Sequence, residues 1–95
     1  MALPRKIVIH SLSGFRPELT VMVRDWMRDG VQYVGVVGHE AARIEDAIDG
    51  LCVGDGTEPY VMLTSAHDDT EALEDAVLLA EQISTIQGSV AVVEL

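Results

Sequence analysis

The sequence predicts a three-layer α/β domain with a four-stranded parallel sheet. Four short apolar runs alternate with three segments whose apolar residues recur at helical spacing, and 95 residues allow one such unit. The runs cover residues 7–12, 31–37, 60–64 and 90–93. Continuous apolarity of that length suits strands covered on both faces, as in parallel sheets. The resulting βαβαβαβ pattern is a single domain spanning residues 1–95.

Each helical segment carries its own signals. Pro17 suits a first turn, Leu19, Met22, Val23, Trp26 and Met27 make one apolar stripe, and Gly30 supplies a left-handed stop. The second helix begins near Glu40 and turns Ala41, Ile44, Ala47, Ile48 and Leu51 inward; Gly50 within it costs about 1 kcal/mol relative to Ala. The stretch 54–59 is turn chemistry rich in Gly, Asp and Pro. The third helix is expected over residues 70–86, with Leu73, Ala76, Val77, Ala80 and Ile83 on one face. Asp68 and Glu71 stand at capping-box spacing before it.

Right-handed crossovers leave few topologies, and strand apolarity selects among them the order 2-1-3-4, a truncated flavodoxin-like arrangement. The first and third runs read as central, whereas Gln32, Gly35, Ser89 and Glu94 mark the second and fourth as edges. This order puts helices two and three on one face and helix one alone on the other. A full flavodoxin-like domain carries a further strand and helix where this sequence stops at its fourth strand. Val90 and Val92, or their neighbours Ala91 and Val93, then point into solvent as an exposed apolar strip, unguarded by Lys or Pro, which makes Val90, Ala91, Val92 and Val93 the predicted homodimer interface.

Charge is divided unevenly along the chain. Up to Arg43 there are six Lys or Arg against four acids, about +2; from Ile44 onward twelve Asp or Glu stand against no Lys or Arg, about −12. This disfavours nucleic acid and anionic membranes as partners, but not basic proteins or cations. The few aromatics (Phe15, Trp26, Tyr33 and Tyr60) provide no stacking platform for single strands. A lone cysteine, Cys52, permits no intramolecular disulfide, and no signal peptide or membrane span is legible, so a cytoplasmic location is expected.

Residues able to carry chemistry gather at predicted strand ends, where open α/β sheets bind ligands. His10, His39 and His67 fall at or beside the ends of the first three strands, with Glu40 and Asp68 nearby. Imidazole and carboxylate are standard metal ligands, which makes His10, His39, Glu40, His67 and Asp68 the candidate metal set. His39 and His67, with Asp68 as orienting carboxylate, are the candidates for acid–base catalysis. Each also has an ordinary structural account: helix caps for the residues at turns, a half-buried strand residue for His10.

No ligand pair of H-x-x-x-H type supports a metal, and no G-x-S-x-G surrounds Ser11, Ser13 or Ser65. Gly35 and Gly38 bracket a strand rather than form a phosphate loop, and Cys52 has no basic neighbour. No cofactor is expected. The loop Ser11-Leu12-Ser13-Gly14 lacks the cysteine of the phosphotransferase subunits and small phosphatases of similar topology. Strand one ends in His10-Ser11, without the acidic pair of receiver domains.

The leading reading is a small acidic interaction domain that works by binding, as a homodimer. The alternatives are a metal-dependent or acid–base enzyme built on the strand-end histidines, and an acidic inhibitor of a basic protein. For the last, Asp46, Asp49, Glu71, Glu74, Asp75 and Glu81 would form one wall on helices two and three. Arg5, Lys6, Arg16, Arg24 and Arg28 would lie on the opposite layer and first strand.

Overall fold

The computed structural model describes residues 5–54, 56–67, 73–86 and 88–95. These form β1 (Lys6–Ser11), α1 (Leu19–Asp29), β2 (Tyr33–Gly38), α2 (Ala41–Val53), β3 (Leu63–His67), α3 (Leu73–Glu81) and β4 (Val90–Glu94). The described sheet has four strands, all parallel, in the order β3-β2-β1-β4. The α/β class and parallel sheet are as predicted; the order 2-1-3-4, and with it the flavodoxin-like arrangement, is replaced by 3-2-1-4. This matches the first four strands of the doubly wound order 3-2-1-4-5-6.

Two local features explain the difference. The third strand is shifted beyond residues 60–62, because Tyr60 is held in the connection: its N–H donates to the Cys52 carbonyl at 2.8 Å and its hydroxyl to the Val31 carbonyl at 2.6 Å. The strand that results, Leu-Thr-Ser-Ala-His, is small, polar and half-exposed, as an edge strand can be. β2, by contrast, is buried from Tyr33 to Val37. Gly35, which suggested an edge, lies beneath the Tyr33 phenol in mid-sheet. A Cβ there would stand 2.7 Å from the Tyr33 Oη and 3.2 Å from the Ser65 Oγ.

The order decides which helices share a face. Steps from β1 to β2 to β3 run one way, and the step to β4 returns past two strands. Right-handed crossovers therefore place α1 and α2 on one face and α3 on the other. Ile7, Ile9, Val34 and Val36 join Leu19 and Val23 of α1 and Ala41, Ile44 and Ile48 of α2 in the larger core. Val8, Tyr33 and Val37 meet Ala76 and Ala80 of α3, with Ile86, on the other side. It is α3, not helix one, that stands alone among the described helices. The proposed acidic wall is accordingly divided: Asp46 and Asp49 lie in one layer, and Glu74, Asp75 and Glu81 in the other. Glu71 and Asp68, and with them the expected capping box, lie outside the described residues.

The α3 layer is fastened by a buried cation. Lys6 is only 3% exposed, and its Nζ donates to the Ile83 carbonyl, 3.0 Å away, just beyond the carboxyl end of α3. Its aliphatic stem is buried while the ammonium satisfies a carbonyl where the helix dipole is negative.

Two outcomes are expected from these contacts. Lys6→Ala should lower stability by about 2 kcal/mol in urea unfolding, since a charge-assisted bond and its packed stem go together. Gly35→Ala should cost about 1–3 kcal/mol by overpacking. Measured in a Tyr33→Phe background, that second cost should shrink, because the atom nearest the new methyl is gone.

Candidate functional site

The carboxyl rim of the sheet is assembled from the ends of β1, β2 and β3 and the loops that follow them. At its centre β1 and β2 are laced together. Ser11 Oγ donates to the His39 carbonyl at 2.7 Å, and the His39 N–H donates to the Ser11 carbonyl at 3.0 Å. Gly38, at φ 112°, allows the crossing, where a side chain would strike the Ser11 carbonyl.

Glu40 follows in the left-handed region, at φ 55°, as the residue before α2. Its carboxylate accepts from the Phe15 N–H at 3.2 Å and from the Arg43 guanidinium at 3.0 Å. The guanidinium also lies 4.8 Å from the centre of the Phe15 ring, a cation–π contact. Gly14, at φ 88°, gives the carboxylate its room, since a Cβ there would run into Glu40 Oε1. Glu40 thus brackets the β1–α1 loop to α2. The Arg43 hydrogen bond, with the Phe15 N–H second, holds its carboxyl below the usual range.

The three histidines go to different neighbours. The His39 ring is exposed and lies against Gly14. His10 is half-buried on the α3 face, in register with Val37 of β2 and Glu94 of β4. His67 is in register with Val37 on its other side, so two strand spacings of about 4.8 Å each separate it from His10. Asp68 lies outside the described residues. Among the described residues, no group of three or more His, Cys, Asp or Glu is placed to hold a metal ion.

A hydrogen-bonded series not foreseen from the sequence joins Tyr33 to His67. The Tyr33 hydroxyl and Ser65 Oγ are 2.5 Å apart, and Ser65 Oγ is 3.2 Å from His67 Nε2. Its signal was the alternation in Ser65-Ala66-His67, which sets Ser65 and His67 on one face opposite Gly35 and Val37. The series satisfies a buried phenol. Cys52 is buried, its Sγ 4.0 Å from the Met62 sulfur, and burial, with Asp49 nearby, pushes the thiol pKa up.

Open clefts lie elsewhere among the described residues. One, of about 450 Å³, sits where the strand order reverses and is lined by Leu12, Ser13, Arg16, Glu18, Glu94 and Leu95. This is the switch point of an open sheet. Its loop N–H groups are already engaged, Leu12 and Ser13 both donating to the Leu95 carbonyl at 2.8 and 3.2 Å. Arg16 Nε is likewise bonded to Ser13 Oγ, at 2.9 Å. Another cleft, of about 350 Å³, lies beside β3 and is lined by Gln32, Val61, Leu63, Thr85 and Ile86.

The predicted interface residues lie on an edge of the described sheet. Ala91 and Val93 pack against the larger core and Val90 against the smaller, while Val92 is 50% exposed. No helix among the described residues is long and apolar enough to cross a membrane. In comparisons with known protein families, curated proteins and solved structures, the chain matches none.

The bracket at Glu40 gives a pH signature. A carboxyl whose folded pKa is lowered adds stability that is complete above its unfolded value, near 4.5, and is lost as pH falls through the folded one. Glu40→Gln should therefore destabilise the protein at neutral pH. The gap from wild type in chemical denaturation should close as the pH drops below 4.5.

Proposed function

We propose that this chain is a small interaction domain that acts by binding and forms a homodimer through β4. The observation that carries this reading is the outer edge of that strand, which no other strand pairs among the described residues. The Leu95 N–H donates to the His10 carbonyl at 2.9 Å, which fixes the alternation. Ala91 and Val93 turn their backbone groups toward β1, and Val90, Val92 and Glu94 turn theirs outward.

The outward row suits self-pairing about a two-fold axis. With two copies antiparallel and centred on Val92, that residue meets its own counterpart as a hydrogen-bonded pair, and Val90 meets Glu94. No acid faces an acid, and the exposed Val92 side chains are covered. The strand carries no Lys, Pro or bulge to prevent the pairing. The two sheets become one of eight strands, with β3 at each end.

Binding also suits what the rim residues do. Ser11, Glu40 and Arg43 hold loops together, and His39 and His67 have separate neighbours. The domain is expected to need no cofactor and to work in the cytoplasm. Its partner, besides a second copy, is a basic protein rather than nucleic acid or a membrane.

Light scattering should return twice the 10.3 kDa chain mass at micromolar concentration, with or without added Zn²⁺. Val92→Pro removes an outward N–H at a position where an edge strand tolerates proline. It should give a folded monomer by circular dichroism and scattering. A wild-type monomer throughout would remove the homodimer from this reading.

A further inference from the structure

The opposite edge of the sheet has a different chemistry. The Leu63 N–H donates to the Gln32 carbonyl at 3.0 Å, and Leu63, Ser65 and His67 pair in step with β2. The backbone groups of Thr64 and Ala66 therefore face outward, unpaired by any strand among the described residues. No Lys or Pro lies within β3 to blunt this edge.

The two sides of the edge differ. Toward α3 lies the 350 Å³ groove, where Val61 is 84% and Leu63 53% exposed beside Ile86. Toward α2 lies acid. Thr64 Oγ donates to Asp49 Oδ1 at 2.8 Å, which fixes that carboxylate beside the strand. Glu45 and Asp46, four and three residues earlier on α2, continue the same flank. A strand added outside β3 would send alternate side chains to these two surfaces, one apolar and one anionic.

We infer that β3 is a docking edge for an extended polypeptide segment in which apolar and basic residues alternate. The segment adds as a fifth strand by main-chain hydrogen bonds, its apolar side chains entering the groove and its cations facing Asp49, Asp46 and Glu45. A second copy of this chain is the wrong occupant. It would bring its own Asp49 and Asp46 to the contact, its β4 carries Glu94, and no Lys or Arg follows Arg43. The site is distinct from the β4 contact, lying at the far edge of the sheet.

The test uses a capped, fluorescently labelled Lys-Val-Lys-Val-Lys-Val-Lys peptide, its twin with Glu for Lys, and a version N-methylated at alternate residues. The basic peptide should bind in anisotropy titrations, more weakly as salt rises. The acidic twin should bind at least about tenfold less well, and so should the N-methylated form, which lacks the donors. Amide exchange by NMR should slow at Thr64 and Ala66 when the basic peptide is added.

Ala66→Pro should abolish binding in a protein that remains folded, and the N-methylated probe decides the point on wild type should that variant not fold. Val92→Pro should leave the peptide affinity unchanged, so failure of the dimer and failure of this site read out separately. The inference is overturned by no binding through the millimolar range, by equal binding of the acidic twin, or by peptide binding without slower exchange at Thr64 and Ala66. Protection of those amides that rises with protein concentration alone would assign the edge to a second copy and overturn it as well.

Discussion

The handedness of the β–α–β crossover is the constraint on which the rest of this molecule depends. Two right-handed steps carry the chain from β1 to β3 and bury their helices on one face; the return to β4 must place α3 on the other. From that reversal follow the two separate cores, the exposed strand at each edge of the described sheet and the cleft between β1 and β4. It also separates acids that a different order would have gathered. Asp49 goes to the flank of β3, and Glu74 and Asp75 go to the far layer.

The polar residues of the rim are largely consumed in holding the loops that the reversal creates. Ser11 and His39 exchange hydrogen bonds, Glu40 binds the β1–α1 loop to α2, and Ser65 satisfies the phenol of Tyr33. Groups committed in this way hold backbone segments together. The capacity left over lies at the sheet edges, where unpaired backbone stands beside apolar side chains. Those edges are what the proposed binding role rests on.

Much of the fold was legible because it is local. The stripe through Leu19 and Val23, the stop at Gly30, and the faces through Ile44 and Ile48 or Ala76 and Ala80 are properties of neighbours along one helix. That the valine-rich fourth strand lies at an edge was legible; that Val92 is its exposed valine, while Val90, Ala91 and Val93 pack against the cores, was not. The strand order was not legible. Gly35 looked like a weak point in an edge strand until a tyrosine two residues away was seen to lie over it, against a serine from β3. Lys6 stood in the sequence only as one basic residue of the first strand, with no sign that the end of α3 would meet it. At the rim, the histidines were correctly placed near strand ends, but adjacency of ends says nothing of where rings turn.

By itself, then, the sequence determined the α/β class, the alternation of elements, the inward faces of the helices and the strong acidity of the second half. Each of these is encoded in composition or in periods of two and 3.6 residues. Only the tertiary structure decided which strands lie inside, which helix stands alone and which carboxylates meet which edge. Those outcomes rest on contacts such as Tyr33 with Ser65 and Lys6 with Ile83, separated by 32 and 77 residues. No local pattern reports such pairs, because their energy exists only once the chain has closed upon itself.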